Sequence, residues 1–225
     1  MPSPSLPSGT TSPRRFLARR ALPAAVAAAV APMALAAPAA HAATSTWHVT
    51  TTADARFNAA ATDVTLRTAT GATLFTCART SQYGTVPSLT STAASPVVVQ
   101  TSAVTGECTD SSGVRSVVIG GTSAYGTIGY TATGYNATTG TTTLTAANTS
   151  GIPITVVFST PDCQIVLTKL AATYTNSTHT LKLTRGTAGS VTAGCFGGTV
   201  KVGDALTLTG GFKLDQAVTI TRTTA

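Results

Sequence analysis

Two histidines, seven carboxylates and four cysteines carry most of the reactive chemistry beyond residue 42 of this 225-residue chain. A nucleophilic triad would need His48 or His179 as its base. His48 alternates with Trp47 along "TWHVTT" and so points away from that strand's apolar face. His179 falls in register with Leu181 and Leu183, which predicts a half-exposed place at the start of a strand. Ser123 in "GTSAYG" resembles a nucleophile elbow only as far as Tyr125, which stands where a second glycine is required. The chain contains no H-E-x-x-H, G-x-S-x-G or G-x-x-x-x-G-K.

A glycosidase needs two carboxyl groups facing across a cleft. Asp54, Asp63, Asp162, Asp204 and Asp215 instead fall mostly at turns, where aspartate supports the backbone, and Glu107 and Asp110 read as loop carboxylates flanking Cys108. The expectation is a protein with no catalytic residue, no metal and no cofactor. "GD" at 203–204 is read as a hairpin signal. The sequons at Asn136, Asn148 and Asn176 are read as products of threonine abundance.

The remaining candidates are aromatic. Tyr125 and Tyr130 precede, and Tyr135 lies at the start of, the stretch "GYNATTGTTTLTAANTSG", residues 134–151, which holds seven threonines, no charge and one aliphatic side chain larger than alanine. The three tyrosines are the guessed ligand-binding set, with core or edge packing as the competing reading, because a spacing of five does not keep one strand face. The threonine stretch is read as a two-sided hairpin, turning at Ala137–Gly140, with both faces reached by water.

Cys77, Cys108, Cys163 and Cys195 form no C-x-x-C pair, and neither histidine lies near one at zinc-ligand spacing. Four cysteines allow three disulfide connectivities. Intervals of 31 and 32 residues favour Cys77–Cys108 and Cys163–Cys195, as though one unit had been repeated with halves near 46–133 and 134–225.

These residues must be positioned by strands. Residues 1–42 are set aside as an export signal. "SPRRFLARR" supplies a basic start, an alanine-rich apolar run follows, and Ala40-His41-Ala42 fits a signal-peptidase site. Pro23, Pro32 and Pro38 make a membrane-spanning helix the poorer reading, and Pro13 favours general export over a twin-arginine route.

Without that segment the formal charge falls from +7 to +3, ten basic against seven acidic residues. The excess is spread along the chain and marks no nucleic-acid stripe. About a quarter of residues 43–225 are threonine, and valine is common. β-Branched side chains favour strands, and no segment keeps an amphipathic helical spacing over three turns. The predicted fold for 43–225 is therefore a single all-β domain. It is an antiparallel β-sandwich or partly closed barrel of two similar halves, each with one disulfide; two separate small sandwiches are the alternative.

The chain resembles a family of secreted, four-cysteine all-β proteins of streptomycetes and related actinomycetes. The likeness rests on "ATSTWHV" after the signal, the two spaced cysteine pairs, "GYNATTG" at 134–140, "YTNSTHTLKL" at 174–183, and Cys195 followed by "GD" at 203–204. "CTDSSG" after Cys108 departs from the pattern. The family carries no established activity, so the resemblance implies secretion and an all-β fold and assigns no site residue.

Three functions follow as expectations. The first is a secreted, non-catalytic extracellular or envelope-associated binding or structural protein, whose partner is a cell-wall polysaccharide or an extracellular protein. The second is a protein-interaction factor, an inhibitor or toxin-like protein. The third is an atypical hydrolase with His48 or His179 near a serine or carboxylate. No nucleic acid is expected as a partner, and no transmembrane segment in the mature chain.

Overall fold

Strict alternation builds the strands, and breaks in alternation shape them. In the computed structural model, which describes residues 44–52, 56–102, 104–110, 113–119, 127–147, 152–157 and 163–224, fifteen strands account for most of the chain. They are β1 (Ser45–Thr51), β2 (Arg56–Ala61), β3 (Val64–Thr68), β4 (Thr73–Thr85), β5 (Leu89–Ser91), β6 (Val97–Thr101), β7 (Val104–Asp110) and β8 (Gly113–Ile119). There follow β9 (Ile128–Asn136), β10 (Thr141–Ala146), β11 (Ile152–Val157), β12 (Cys163–Thr175), β13 (Thr180–Val191), β14 (Ala205–Leu214) and β15 (Val218–Thr224). One short 3-10 turn, Cys195–Gly198, lies between β13 and β14.

The fold is an all-β sandwich of two sheets. The smaller has the order β15-β1-β5; the larger contains the other twelve strands, every pair antiparallel. Its hydrogen bonds close on themselves twice. One circuit runs β4-β7-β8-β11-β12-β13-β14-β3 and back to β4. The other runs β4-β6-β9-β10-β12-β13-β14-β2 and back to β4. Closure removes the unpaired edges on which sheets aggregate. The long strands β4, β12, β13 and β14 belong to both circuits.

A long strand can serve two circuits only if its inward face is reset between them. On β12, Cys163, Ile165 and Leu167 face inward, then Leu170, Ala172 and Tyr174 do. The extra residue is absorbed at Lys169, which takes the left-handed φ of 55°, where the register with β13 shifts. β4 makes the same change of parity between Cys77 and Thr80, and β13 between Leu183 and Gly186. These are bulges that bend the strand while keeping apolar side chains in the core.

Strands from the first half pair with strands from the second: β1 with β15, β2 and β3 with β14, β8 with β11. Ala42–Ala225 is accordingly one unit with one core, and the alternative of two small sandwiches does not describe it. Trp47, Val49, Val218 and Ile220 bring the small sheet's inner face into that core beside Phe75, Tyr130, Tyr174 and Phe212. The Arg222 guanidinium lies 5.2 Å from the Trp47 ring centre, covering it.

Both expected disulfides are present, Cys77–Cys108 and Cys163–Cys195. Their settings differ. Cys77 and Cys108 face each other across β4 and β7, whereas Cys163 opens β12 and reaches into the turn that Cys195 begins.

Several local expectations are corrected. The threonine hairpin is not wet on both faces: β10 pairs with β12 as well as β9, and Thr142 and Leu144 are wholly buried. Its turn does form, with Asn136 Oδ1 accepting the Thr138 and Thr139 N–H groups. Glu107 and Asp110 lie on β7 rather than in a loop, Glu107 opposite Arg79. His179 is the last residue of a tight turn with φ 51°, not the first of a strand.

Asn176, in that same turn, does work that the sequence does not advertise. Its Nδ2 donates to the Ile220 carbonyl at 2.9 Å, and its Oδ1 accepts the Ile220 N–H at 3.0 Å. The side-chain amide thus replaces a neighbouring strand for β15. Asn176→Ala leaves both half-buried Ile220 groups unpaired and is expected to cost about 1–3 kcal/mol. Urea titration followed by the fluorescence of Trp47, the one tryptophan of the chain, should give a lowered midpoint; an unchanged midpoint would show the bond pair to be dispensable.

Candidate functional site

The guessed tyrosines do not form a platform. Tyr130 is 1 % exposed, and burial pushes its hydroxyl's pKa up, partly offset by the neighbouring Thr101 hydroxyl. Tyr135 packs half-buried against the core, and Tyr125 lies outside the described residues. Tyr174 is likewise a core residue; burial raises its pKa, and its hydroxyl donates to the Val218 carbonyl at 2.9 Å.

Among the described residues, the aromatic ring most open to solvent is Tyr83, 66 % exposed. On β4, Gln82 points inward and Ser81 and Tyr83 outward. β2 lies on one side of this stretch and β6 on the other. Arg56, Thr85 and Gln100 form one cross-strand row, and Asn58 faces Tyr83 in the next. Directly opposed residues share a sheet face, so these side chains stand together on the outer surface. With Ser102, Thr127 and Gln216 they line a groove of about 580 Å³.

Three local devices shape this groove. Asp215 is clamped to β2: Asn58 donates its N–H to Asp215 Oδ1 at 2.9 Å and its Nδ2 to Oδ2 at 3.2 Å, and the Asp215 N–H donates to the Asn58 carbonyl at 2.9 Å. That clamp holds the link between β14 and β15 against the groove and places Gln216 on its wall. Ser102 ties down Tyr83 from the other side, donating its N–H to the Tyr83 carbonyl at 2.7 Å and accepting the Tyr83 N–H on Oγ at 3.3 Å. Gly84 lets β6 approach: a Cβ there would collide with the Gln100 carbonyl oxygen and lie 2.6 Å from the Phe57 ring.

The histidines sit elsewhere. His48, on the outer face of β1, has Nδ1 3.4 Å from the Thr90 hydroxyl and Nε2 3.4 Å from the Thr223 hydroxyl. His179 has Nδ1 3.4 Å from the Tyr174 hydroxyl. Among the described residues, neither has a carboxylate partner for its ring, and no cluster of three His, Cys, Asp or Glu could hold a metal ion. Asp204 accepts the Lys201 N–H at 2.8 Å and so closes the "GD" hairpin. Asp54 and Asp162, with Ser123, lie outside the described residues.

Chemically, the Tyr83 groove is a surface of aromatic, amide and hydroxyl side chains with one guanidinium. It offers an aromatic face, primary amides and a guanidinium on a rigid strand scaffold. Nothing in "RTSQYGT" sets Tyr83 apart except an aromatic on the polar side of an alternating strand followed by glycine. Arg56, Gln100 and Gln216 carry no sequence signal, because they meet only through strand pairing. Comparison with family models, curated proteins and solved structures returns no match for this chain.

Proposed function

We propose that this is an exported, non-catalytic protein that binds an extracellular polysaccharide through the groove centred on Tyr83. The observation that carries the reading is one exposed tyrosine ring beside Asn58, Gln100 and Gln216. A sugar ring presents a C–H face that stacks on an aromatic surface, and its hydroxyls match planar amides that donate and accept side by side. The groove has the size of a small-ligand site.

Export is supported by the signal-like residues 1–42 and by the two disulfides, which persist in oxidising compartments. Among the described residues no helix is long and apolar enough to cross a membrane. Membership of the secreted actinomycete family belongs to the same reading and rests on the quoted motifs. Binding without turnover is supported by the company the histidines keep, hydroxyls rather than carboxylates.

The test is retention of protein purified from culture fluid on insoluble cellulose, chitin and isolated cell wall. Retention on at least one, with release by soluble fragments of the same polymer, is expected. Passage through all three without delay would sink the reading.

A further inference from the structure

We propose that the sugar-binding surface continues from the Tyr83 groove onto the outer face of the small sheet, so that the ligand is an extended neutral polysaccharide chain spanning both. This rests on the reading of the Tyr83 groove and adds a second contact region to it.

A second, more open depression of about 340 Å³ is lined by His48, Val49, Thr50, Ser88, Leu89 and Thr90. It adjoins the first through the chain at two points. Thr85 walls the Tyr83 groove and Ser88 the second depression, three residues on. Gln216 walls the groove, and Thr219, three residues on, pairs with Thr50. Three residues span at most about 11 Å. Linked sugars cover such a distance in a few units, whereas a single sugar does not.

The chemistry of this second face selects the ligand. β1 and β15 place Thr46 opposite Thr223, His48 opposite Thr221 and Thr50 opposite Thr219, with Thr90 of β5 opposite His48 on the other side. The alternate positions Trp47, Val49, Val218 and Ile220 are locked in the core, so this grid is held outward and rigid. Along each strand the outward positions repeat every ~7 Å. Each hydroxyl both donates and accepts, so those engaged by His48 keep capacity for a ligand. Arg222, the one charged residue of β15, covers Trp47 instead of joining the grid. Among the described lining residues of the two depressions, the Arg56 guanidinium of the Tyr83 groove is the one arginine or lysine, so an acidic polymer or peptide would find no run of counter-charges along this path, while a neutral, hydroxyl-rich chain finds hydroxyl partners along the grid.

The experiment is calorimetric titration of the intact protein with cello- and chito-oligosaccharides from dimer to hexamer. Wild type is compared with Thr90→Lys and with His48→Ala/Thr90→Ala, whose folds are checked by Trp47 fluorescence and melting. The dimer should bind all three proteins alike through the Tyr83 groove. Affinity should rise at least tenfold towards the hexamer in wild type, and both variants should lose that gain. A plateau at the dimer, or hexamer affinity unchanged in the folded Thr90→Lys protein, would overturn the extended site and leave the Tyr83 groove standing. Absence of binding at every length would overturn both.

Discussion

Tyr83→Ala is expected to weaken polysaccharide binding about thirty-fold while the protein stays folded. The ring is 66 % exposed and its backbone, not its side chain, carries the bonds to Ser102. Surface substitutions of this kind usually change stability by less than about 0.5 kcal/mol. Truncating a central aromatic anchor of a binding surface costs about 2 kcal/mol or more, and each 1.4 kcal/mol is about tenfold in affinity.

Tyr83→Phe separates the two parts of the contact. If stacking dominates, phenylalanine retains most of the affinity; if the hydroxyl dominates, it behaves like alanine. Depletion assays on the retaining polysaccharide give both numbers. Alanine binding as well as wild type would show that the ligand sits elsewhere.

Opening both disulfides is expected to unfold the protein. The bridges join residues 31 and 32 apart. In the chain-entropy account, loops of that length contribute roughly 3–4 kcal/mol each. Together they rival the net stability of an ordinary domain, about 5–15 kcal/mol. Cys77 and Cys108 are both buried, so a reductant reaches them only as the structure opens. The paired variant Cys77→Ala/Cys108→Ala avoids that barrier and should lower the denaturant midpoint steeply without reductant. The matching pair at Cys163 and Cys195 should do the same, and the two losses should be similar because the loops are. A midpoint unmoved in either variant would locate the stability in the sheet circuits instead.

Alkaline pH supplies a gentler probe of the core. Burial raises the pKa of Tyr130 and Tyr174, so the folded state favours their neutral forms. The sign follows from linkage: this contribution is complete below the ordinary tyrosine pKa of about 10 and declines as pH rises above it. Tyr174→Phe should flatten the decline above that pH. It should also lower stability at neutral pH, because the Val218 carbonyl loses its donor.

The alternation in "TWHVTT" and "ALTLTGGFKL" is enough to place Trp47, Val49, Leu206, Leu208, Phe212 and Leu214 inward, because a strand turns successive side chains to opposite faces whatever its neighbours are. Composition likewise dictates strands over helices, and cysteine spacing favours the pairs that form. These properties are local or nearly so, and sequence holds local information directly.

Tertiary structure decided the rest. Whether Tyr83 or Tyr130 meets solvent depends on what covers each strand, not on the residues beside it. Thr142 is buried because β12 lies along β10, and β12 is more than twenty residues distant in the chain. The parity reset at Lys169 is useful only where one strand must serve two circuits. The groove itself joins β2, β4, β6 and the link after β14, and the Asn58–Asp215 clamp that completes it spans 157 residues. Contacts of that range are fixed by the closing of the sheet, and no pattern read along the chain encodes them.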